Sequence, residues 1–515
     1  MRAAVFMLSL GLVALANFGL HAQDWPMYGQ NLSHTFNNPS AINPFNVSSL
    51  RPAWSFATKD VVSASPAVVN GVVYVGSWDG FFYALNANST IPVVPKWKYP
   101  VDCQCTVVPV PQQCLPICPT LKSRALSDGG IITSSAAVVE MSTPKGRKPI
   151  VYFGAGKTLY ALYADTGERL WKQVICGNPD KVDCASDKFD PTRIFSSPAV
   201  FFSPTEKEGL VFLGHTADGA QGYRGGFEAI NATTGARRWR FEVDPILNSQ
   251  RQVIGAYNRG CGSVWSSAAV DPIAGLVFFG TGDCSAVPPS PYQPPYHEAI
   301  IALDMAGNLR WAYRPHQTDK CDFDFGASPN IIDLGFARFV GLGGKDGTYY
   351  LLNEYGFPLW SKRVVFGGSI GGFFGGAAFD GQHIFSATAV GDPPGFFHCS
   401  SDLRDVPFQE PSMYALNLFP LNTAGGSILW EGIFNQSFGA TSLSNGVVFS
   451  GLVGIPSLIQ PALNAYHARY GWLLNRFLMP GSVNSTAIPV GKMLFVTSGN
   501  STDGTGGGVH AFTLP

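Results

Sequence analysis

The sequence predicts an all-β fold: an eight-bladed β-propeller whose ring is closed by an N-terminal strand. Three observations predict it. Only 13% of the 515 residues are charged, against about 25% in typical globular domains, and 58 Gly and 38 Pro suit many short strands joined by tight turns. One strand–turn–strand unit recurs along the chain. A strand that belongs to none of these units precedes the first one.

The repeated unit begins with small residues, as in "SASPAVV", and continues with an apolar strand, a Gly-rich turn and a strand ending in "ALN" or "ALD". A polar turn and a strand that contains Trp complete it. Because one unit cannot bury both of its faces alone, neighbouring units must stack. Seven units end in a Trp of their own. We interpret these indoles as packing between blades: Trp97, Trp171, Trp239, Trp311, Trp360, Trp430 and Trp472.

The eighth unit begins at "NSTAIPVGKMLFVTSGN" and ends with "GGVHAFTLP", without a Trp strand. The strand "LRPAWSFAT", which contains Trp54, precedes the first unit and can complete the eighth. Closing the ring removes the sheet edges that an open array would expose. A seven-bladed ring is the alternative, because the sixth unit (about residues 370–435) is irregular. A pair of β-sandwiches would explain neither the Trp period nor the displaced strand.

Residues 1–22 have the pattern of a cleaved secretory signal peptide, which leaves residues 23–515 as a single propeller domain. An early Arg, a short apolar run and the small residues Ala16 and Ala22 support this prediction, and a non-cleaved anchor is the alternative. We therefore expect a secreted protein with no membrane span in the mature chain. Seven Asn-x-Ser/Thr sequons and ten Cys fit a disulfide-bonded glycoprotein, with Cys176 and Cys184 as a plausible local pair.

The stretch "GLVFFGTGDCS" places an acid, Asp283, directly after an apolar strand and a Gly-Thr-Gly turn. In a propeller blade, the turn between the second and third strands lies on the same face as the link to the next blade. The long loops of this chain all fall on that face, and loops on a rigid scaffold often carry binding and catalysis. The simpler alternative is a set of turn-capping and rim residues. Further candidates on this face are Asp218, Lys345, Trp78, Lys157, Glu298 and His297.

The units "ALYADTGERLW" and "AINATTGARRW" resemble the repeat of pyrroloquinoline quinone (PQQ) dependent dehydrogenases, which are eight-bladed propellers. The stretches "GSVWSSAAVDPIAGLVFFGTGDCS", "EAIIALDMAGNLRWAYRP" and "DFDFGASP" look closest to the polyvinyl-alcohol dehydrogenase branch. The resemblance implies a PQQ cofactor, a Ca²⁺ ion held by oxygen ligands, and the oxidation of an alcohol.

The resemblance also implies roles for individual residues. Asp283 stands where the family has a metal-ligating Asn or Asp. The third repeat of the family usually supplies a Glu to the metal, and here Asp218 or Gln221 falls near that position, of which we choose Asp218. Lys345, in "GGKDGTYYLL", fits a family position where a basic residue contacts the quinone oxygens.

The remaining roles concern the cofactor border and the base. Gly280 and Gly282 would let the backbone approach the cofactor closely. Glu298 is the best available base for the hydroxyl proton of the substrate. Three further acids are expected to be structural, and none of them catalytic: Asp319, Asp322 and Asp324.

The chain departs from the family in ways that leave its activity open. Many members stack a vicinal Cys–Cys disulfide on PQQ, whereas Cys103 and Cys105 are separated by Gln104. No Cys-x-x-Cys-His is present, so an enzyme would need an external electron acceptor. A net charge of −1 without basic runs argues against nucleic acid as a partner. We expect oxidation of a secondary or polymeric alcohol. The alternatives are a non-enzymatic propeller that binds a carbohydrate or a protein, and, more weakly, a hydrolase or lyase.

Overall fold

The structure of this chain is a computed structural model. Residues 1–23, which include the expected signal peptide, lie outside the described residues, as do Asp218, Asp319 and all cysteines except Cys176 and Cys184. In the part that the structure describes, no helix has the length and apolar character needed to cross a bilayer. The described residues are 24–100, 131–178, 180–181, 184–185, 187, 189–203, 208–217, 222–250, 252–256, 262–283, 295–316, 322–389, 410–455, 457–500 and 505–515.

The described strands form eight four-stranded sheets and one two-stranded hairpin. A 3-10 helix (Val47–Ser49) and strand β1 (Arg51–Ala57) precede the first complete sheet. Blades 1 to 4 and the hairpin β14–β15 follow: β2 (Ala67–Val69), β3 (Val72–Gly76), β4 (Phe82–Asn86), β5 (Trp97–Tyr99); β6 (Ala137–Thr143), β7 (Gly146–Ala155), β8 (Thr158–Tyr163), β9 (Arg169–Val174); β10 (Ala199–Phe201), β11 (Leu210–His215), β12 (Gly226–Asn231), β13 (Arg237–Glu242); β14 (Pro245–Leu247), β15 (Val253–Ala256); β16 (Ala269–Asp271), β17 (Leu276–Gly280), β18 (Ile300–Asp304), β19 (Leu309–Tyr313).

Blades 5 to 8 complete the ring, and the first strands of neighbouring blades contact one another around the central axis. Their strands are β20 (Asn330–Asp333), β21 (Arg338–Gly343), β22 (Thr348–Asn353), β23 (Pro358–Arg363); β24 (Ala378–Phe379), β25 (His383–Ala387), β26 (Ser412–Asn417), β27 (Ile428–Phe434); β28 (Ser442–Ser444), β29 (Val447–Leu452), β30 (Ala462–His467), β31 (Leu473–Leu478); β32 (Ile488–Val490), β33 (Met493–Ser498) and β34 (Gly508–Thr513).

The N-terminal strand closes the ring, as the sequence predicts. Strand β1 pairs antiparallel with β34, with Trp54 opposite Ala511, and is the outermost strand of blade 8. The irregular sixth unit is a complete four-stranded blade, β24 to β27. The seven-bladed ring and the β-sandwich pair are therefore both wrong, because every described sheet except the hairpin is one blade of a closed ring.

Seven indoles connect consecutive blades. Six of them are among the seven Trp residues that the sequence predicts to pack between blades, so the prediction is confirmed for those six. The seventh is Trp54. Each Nε1–H donates to a backbone carbonyl of the next blade over 2.7–3.1 Å. The receiving turn leaves room for the ring: a Cβ on Gly167, whose φ is +74°, would lie 2.7 Å from the Trp97 indole. The donor–acceptor pairs are Trp54–Ala87, Trp97–Ala164, Trp171–Ala232, Trp239–Met305, Trp311–Glu354, Trp360–Leu418 and Trp430–Ala468.

Trp472 does not pack between blades, so that expectation is wrong. Asn475 stands opposite Ala465, the position that a Trp holds in the other blades, and Trp472 lies in the turn before β31 with 64% of its surface exposed. Side chains from the segment that precedes β1 fill the contact between blades 7 and 8 instead. These residues pack with Phe477 and Phe512, and they are Ile42, Val47 and Leu50.

The segment from residue 24 to residue 41 occupies one end of the central channel. Its carbonyls accept backbone N–H groups from the first strands of six blades, at Val68, Val138, Val270, Ile331, Phe379 and Leu443. Asp24 accepts from the backbone of Asn70, and Ala41 donates to Gly491; both partners lie in short turns between first and second strands. The segment therefore covers the short-turn end of the channel and leaves the long-loop face for ligands.

A chain of hydrogen bonds between hydroxyl groups and backbone N–H groups joins the inner strands nearer the long-loop face. In each link, the backbone N–H of a Ser or Thr in one blade donates over 2.9–3.0 Å to the Ser hydroxyl oxygen of the next blade. The series starts in blade 8, continues through blades 1 to 4 and ends in blade 5. It fixes blades 4 and 5, whose loops carry Asp283 and Lys345. The members are Thr486, Ser65, Ser135, Ser197, Ser267 and Ser328.

The predicted local disulfide is present between Cys176 and Cys184, in the link that follows β9. Lys157 supports this link, because its Nζ donates to the carbonyl of Cys184 over 2.8 Å and to that of Asp187 over 2.9 Å. Trp78 donates through Nε1 to the Ser63 hydroxyl. These contacts give Lys157 and Trp78 structural partners on the long-loop face.

Replacing Trp54 with Ala should destabilise the ring, because Trp54 is 2% exposed and forms the contact between blade 8 and blade 1. A buried Trp→Ala change costs about 3–5 kcal/mol. Urea unfolding should therefore show a clear fall in the midpoint. The matched control is Trp472→Ala, at an exposed indole, which should change stability by less than about 0.5 kcal/mol. Equal losses in the two variants would contradict the assignment of Trp54 as the closing contact.

Candidate functional site

Three carboxylates converge on the long-loop face between blades 4 and 5. Asp283 follows β17 in the turn between the second and third strands of blade 4, as the sequence predicts. Asp322 and Asp324 lie in the link from β19 to β20. One oxygen of each carboxylate lies within 4.8 Å of the others. We call these three residues the carboxylate cluster; the sequence predicted a site role for the first and only a structural role for the other two.

Asp324 is the centre of the cluster. Its Oδ1 accepts the backbone N–H of Asp283 over 2.6 Å, and its Oδ2 accepts the indole N–H of Trp265 over 3.1 Å. The Lys345 ammonium lies 3.2 Å from the same Oδ2 and 2.8 Å from Asp322 Oδ1. Lys345, from the turn between β21 and β22, and Asp283 therefore both contact Asp324, which brings two of the candidate residues into one site.

Burial and neighbouring charges shift the pKa values of Asp322 and Lys345 in the cluster. Burial raises the pKa of Asp322, and the neighbouring charge of Asp324 adds to this, so that the pKa rises to about 8 even though Lys345 acts to lower it. Burial lowers the pKa of Lys345, but the charges of Asp324 and Asp322 outweigh it and the net pKa is raised. Lys345 thus stays an ammonium, and the three carboxylates still carry more negative charge than one ammonium neutralises.

Aromatic rings border the cluster. The Trp265 ring lies 5.6 Å from that of Phe374, which contacts Phe438 at 5.0 Å. Lys345 Nζ lies 5.9 Å from the Trp265 ring and 5.6 Å from the Phe374 ring. The backbone of Gly326 touches the indole so closely that a Cβ there would lie 1.7 Å from Trp265. The faces of these tilted aromatic rings give the site an apolar border next to an ammonium, which suits a planar ligand with acceptor oxygens.

Gly280 and Gly282 allow the two halves of the cluster to meet. A Cβ on Gly280 would lie 2.2 Å from the carbonyl oxygen of Phe325, and one on Gly282 would lie 3.1 Å from Asp324 Oδ1. Both glycines thus pack against the segment that carries Asp322 and Asp324. Their predicted contact with a cofactor stays a prediction.

Glu298 lies behind the cluster and is 1% exposed. Its Oε1 accepts the backbone N–H of Phe323 over 3.2 Å, and its own N–H donates to the carbonyl of Gly282 over 3.1 Å. It therefore braces the segment between the two link carboxylates, and its predicted role as the base stays a prediction. Neighbouring His297 contacts the Arg314 guanidinium. Asp218, the second predicted metal ligand, lies outside the described residues.

Two features of the site were missed from the sequence. Trp265 stands in "GSVWSS", before the first strand of blade 4, whereas the repeated Trp residues lie in the last strand of each unit. A Trp at this different position was the signal that could have marked it as a site residue. The paired acids Asp322 and Asp324 are separated by one residue in "DFDF" and were expected only to be structural. The link that carries both acids ends at the inner strand β20, which brings them to Asp283, and the repeat pattern does not show this.

Comparison with known proteins gives one family match. A family model for the PQQ-containing glucose/ethanol/alcohol dehydrogenase β-propeller domain matches residues 25–363. A polyvinylalcohol dehydrogenase of Pseudomonas sp is 23% identical over 471 residues, which cover 82% of this chain and 66% of the relative. That of Sphingopyxis sp. (strain 113P3) is 22% identical over 463 residues, which cover 81% and 62%. The chain thus spans slightly under two thirds of the length of these relatives.

Solved structures share the fold. A quinohemoprotein alcohol dehydrogenase from Comamonas testosteroni superposes with a TM-score of 0.68 at 20% identity, covering 96% of this chain and 80% of that one. A europium-containing methanol dehydrogenase also gives 0.68, at 18% identity, covering 96% and 98%. At these identities the likeness concerns the fold.

The raised pKa of Asp322 predicts a pH dependence of stability in the metal-free protein. The folded pKa of about 8 lies above the ordinary value of 3.8, so the folded state holds a proton that the unfolded chain loses first. The stabilisation is therefore complete below pH 4 and is lost as the pH rises through 8. In the presence of a chelator, the free energy of unfolding should fall from pH 5 to pH 8 in the wild type. In Asp322→Asn this fall should be smaller by about 1–2 kcal/mol, allowing for solvent screening.

Burial and the charge of Glu242 raise the pKa of Asp244 to about 7, which adds a fall of the same sign in both proteins, so the difference between them isolates Asp322. Identical pH profiles in urea unfolding would contradict the electrostatic description of the cluster.

Proposed function

We propose that this chain, which belongs to the family of the PQQ-containing glucose/ethanol/alcohol dehydrogenase β-propeller domain, is a secreted quinoprotein that oxidises an alcohol with bound PQQ and a metal ion. The observation that carries the proposal is the convergence of the carboxylate cluster, Lys345 and Trp265 on one face of a closed ring. Because the relatives are polyvinylalcohol dehydrogenases, a secondary or polymeric alcohol is the proposed substrate class. The two electrons leave to an external acceptor.

The residues present fit both groups. Asp283 and Asp324 offer the hard oxygen donors that Ca²⁺ prefers, and a carboxylate oxygen of Asp322 lies within 4.8 Å of theirs. Burial, and after it the charge of Asp324, raises the pKa of Asp322 to about 8, and a bound cation would favour the ionised form again. For PQQ, the rings of Trp265 and Phe374 offer an apolar border and Lys345 offers a cation to the quinone and carboxylate oxygens.

In the proposed reaction, different side chains of the cluster act as base, as metal ligands and as a positioning group. Bound PQQ would supply the hydride acceptor for the carbinol carbon. Asp322, whose side chain is 35% exposed against 10% for Asp324, would accept the hydroxyl proton once a bound cation has lowered its pKa, and Asp283 and Asp324 would hold the metal. Lys345, 4% exposed, holds Asp322 in place through their 2.8 Å ion pair. We favour Asp322 over Glu298 as the base because Glu298 is buried and accepts a backbone N–H.

The metal has two candidates. Ca²⁺ is proposed from the family resemblance and the oxygen donors. A trivalent lanthanide ion is the second, because the similar methanol dehydrogenase structure contains europium and the cluster offers three carboxylates. Both ions bind through hard oxygen donors, and both belong in the titration.

Titration of the purified mature protein with PQQ should raise its thermal stability only when Ca²⁺ or Eu³⁺ is present. At a ligand concentration of about 100 times Kd, the gain should be about 2.7 kcal/mol. Asp283→Ala should abolish the gain, because it removes one cluster carboxylate. Asp165→Ala, at an exposed acid of the opposite face, is the matched control and should keep it.

Dye reduction with primary, secondary and polymeric alcohols then assigns the base. Asp322→Asn should lower kcat by about 10²–10⁴-fold, the usual contribution of a general base, and Glu298→Gln should lose less. The reverse order would return the base role to Glu298. No stabilisation by PQQ with either ion would reject the dehydrogenase and leave the non-enzymatic propeller, to be screened with glycans and proteins.

A further inference from the structure

A His–Asp pair lies next to the carboxylate cluster and is not part of it. His316 Nε2 is 2.9 Å from Asp346 Oδ2, and the side chains are 30% and 6% exposed. Tyr350 donates its hydroxyl to the same Oδ2 over 2.5 Å. Burial, together with the charge of Asp346, raises the pKa of Tyr350, so its phenol stays a donor. Asp346 is thus an acceptor held by two side chains.

Asp346 belongs to the turn that carries Lys345. Its Oδ1 accepts the N–H of Thr348 over 3.0 Å, which closes the turn. The backbone N–H of Lys345 donates to the carbonyl of Asp324 over 3.0 Å. The carbonyl of Lys345 accepts the backbone N–H of Gly368 over 3.1 Å. The Asp346 side chain therefore closes the turn from whose backbone the Lys345 ammonium reaches the cluster.

His316 also contacts the other half of the cluster. It lies in the link that follows β19, and its ring centroid is 5.2 Å from that of Phe323, the residue between Asp322 and Asp324. One imidazole therefore touches the segment with the two link acids and bonds to the turn with the lysine. Groups that orient the ligating side chains of a site in this way usually matter for its affinity about 10–100-fold.

We propose that His316 is a positioning residue that sets the distance between the Lys345 ammonium and the carboxylates of Asp322 and Asp324. It acts through its hydrogen bond to Asp346, with the ring contact to Phe323 as the second support. As a contribution to turnover this rests on the proposed function. The positioning of Lys345 itself does not, because it can be measured in the cofactor-free protein.

Two substitutions separate the contacts of His316. His316→Gln keeps a nitrogen donor at the reach of Nε2 and loses the ring, whereas His316→Phe keeps a ring against Phe323 and loses the hydrogen bond to Asp346. The matched control is His383→Phe. His383 Nδ1 lies 2.9 Å from Asp380 Oδ2 in a similar pair, located in a short turn on the opposite face of the ring.

The first readout is the rate at which an amine-specific acylating reagent modifies Lys345, followed by mass spectrometry in metal-free, PQQ-free full-length protein. Lys345 is 4% exposed and held by two ion pairs, so it should react slowly in the wild type. We expect about a tenfold faster reaction in His316→Phe, following the usual effect of losing an orienting partner. The wild-type rate should persist in His316→Gln and His383→Phe. Equal rates in His316→Phe and the wild type would overturn the proposal.

Asp346→Asn is the second variant, in case His316→Phe does not fold, and it should also expose Lys345 to the reagent. The second readout is dye turnover, where His316→Phe should lower kcat about tenfold with little change in the KM of the alcohol, and His316→Gln should restore it. If the wild type reduces no dye, the proposed function fails while the labelling rates still decide the role of His316. Loss of activity with unchanged labelling would contradict positioning of Lys345.

Discussion

Each blade of this propeller can bury its two faces only against its neighbours, so everything else in the structure depends on the ring being closed. The closing contact joins the first strand of the described chain to the last: β1 pairs with β34, and the Trp54 indole donates to blade 1. Six further indoles repeat this contact, and the segment from residue 24 to residue 41 ties the inner strands together at the short-turn end. Blades 4 and 5 are thereby held at one spacing, and the site between them depends on that spacing.

The site has the opposite character from its scaffold. The contacts between blades described above are apolar packing and neutral hydrogen bonds, whereas the site gathers three acids and one lysine in a partly buried space. Such a gathering is unfavourable by itself, as the raised pKa of Asp322 indicates. Burial of like charges is common where a protein is organised to bind a cation or to move a proton. A cation-dependent quinone site accounts for the acids, the lysine and the neighbouring rings together.

Much of this could be predicted from the sequence, and the reasons are physical. The Trp period, the small residues of the inner strands and the displaced Trp54 strand all repeat or break a pattern, so the eight-bladed ring followed from them. Asp283 and Lys345 were identifiable because each follows the second strand of its unit, in the turn that precedes the third. The prediction for Trp472 was wrong because "YGW" resembles the Trp-containing end of the other units, whereas Asn475 holds the packing position.

The rest of the site depended on where one link travels. Asp322 and Asp324 lie about forty residues beyond Asp283 along the chain, and no local spacing indicates that Asp324 accepts the Asp283 N–H or the Trp265 indole. Glu298 directly precedes a strand, a position where an exposed acid is expected. It is buried instead, and its carboxylate accepts the backbone N–H of Phe323. Such contacts arise from the packing of blade 4 against blade 5, which a repeat pattern alone does not specify.

The central claim is that the carboxylate cluster binds a metal ion next to a planar quinone. The most direct test is an anomalous difference map from crystals of the mature protein grown with PQQ and Eu³⁺. The account predicts one strong peak within about 2.3–2.6 Å of oxygens from Asp283 and Asp324, the usual range for hard oxygen ligands, with planar density beside Trp265. A peak elsewhere, or density for the quinone away from Lys345, would contradict it.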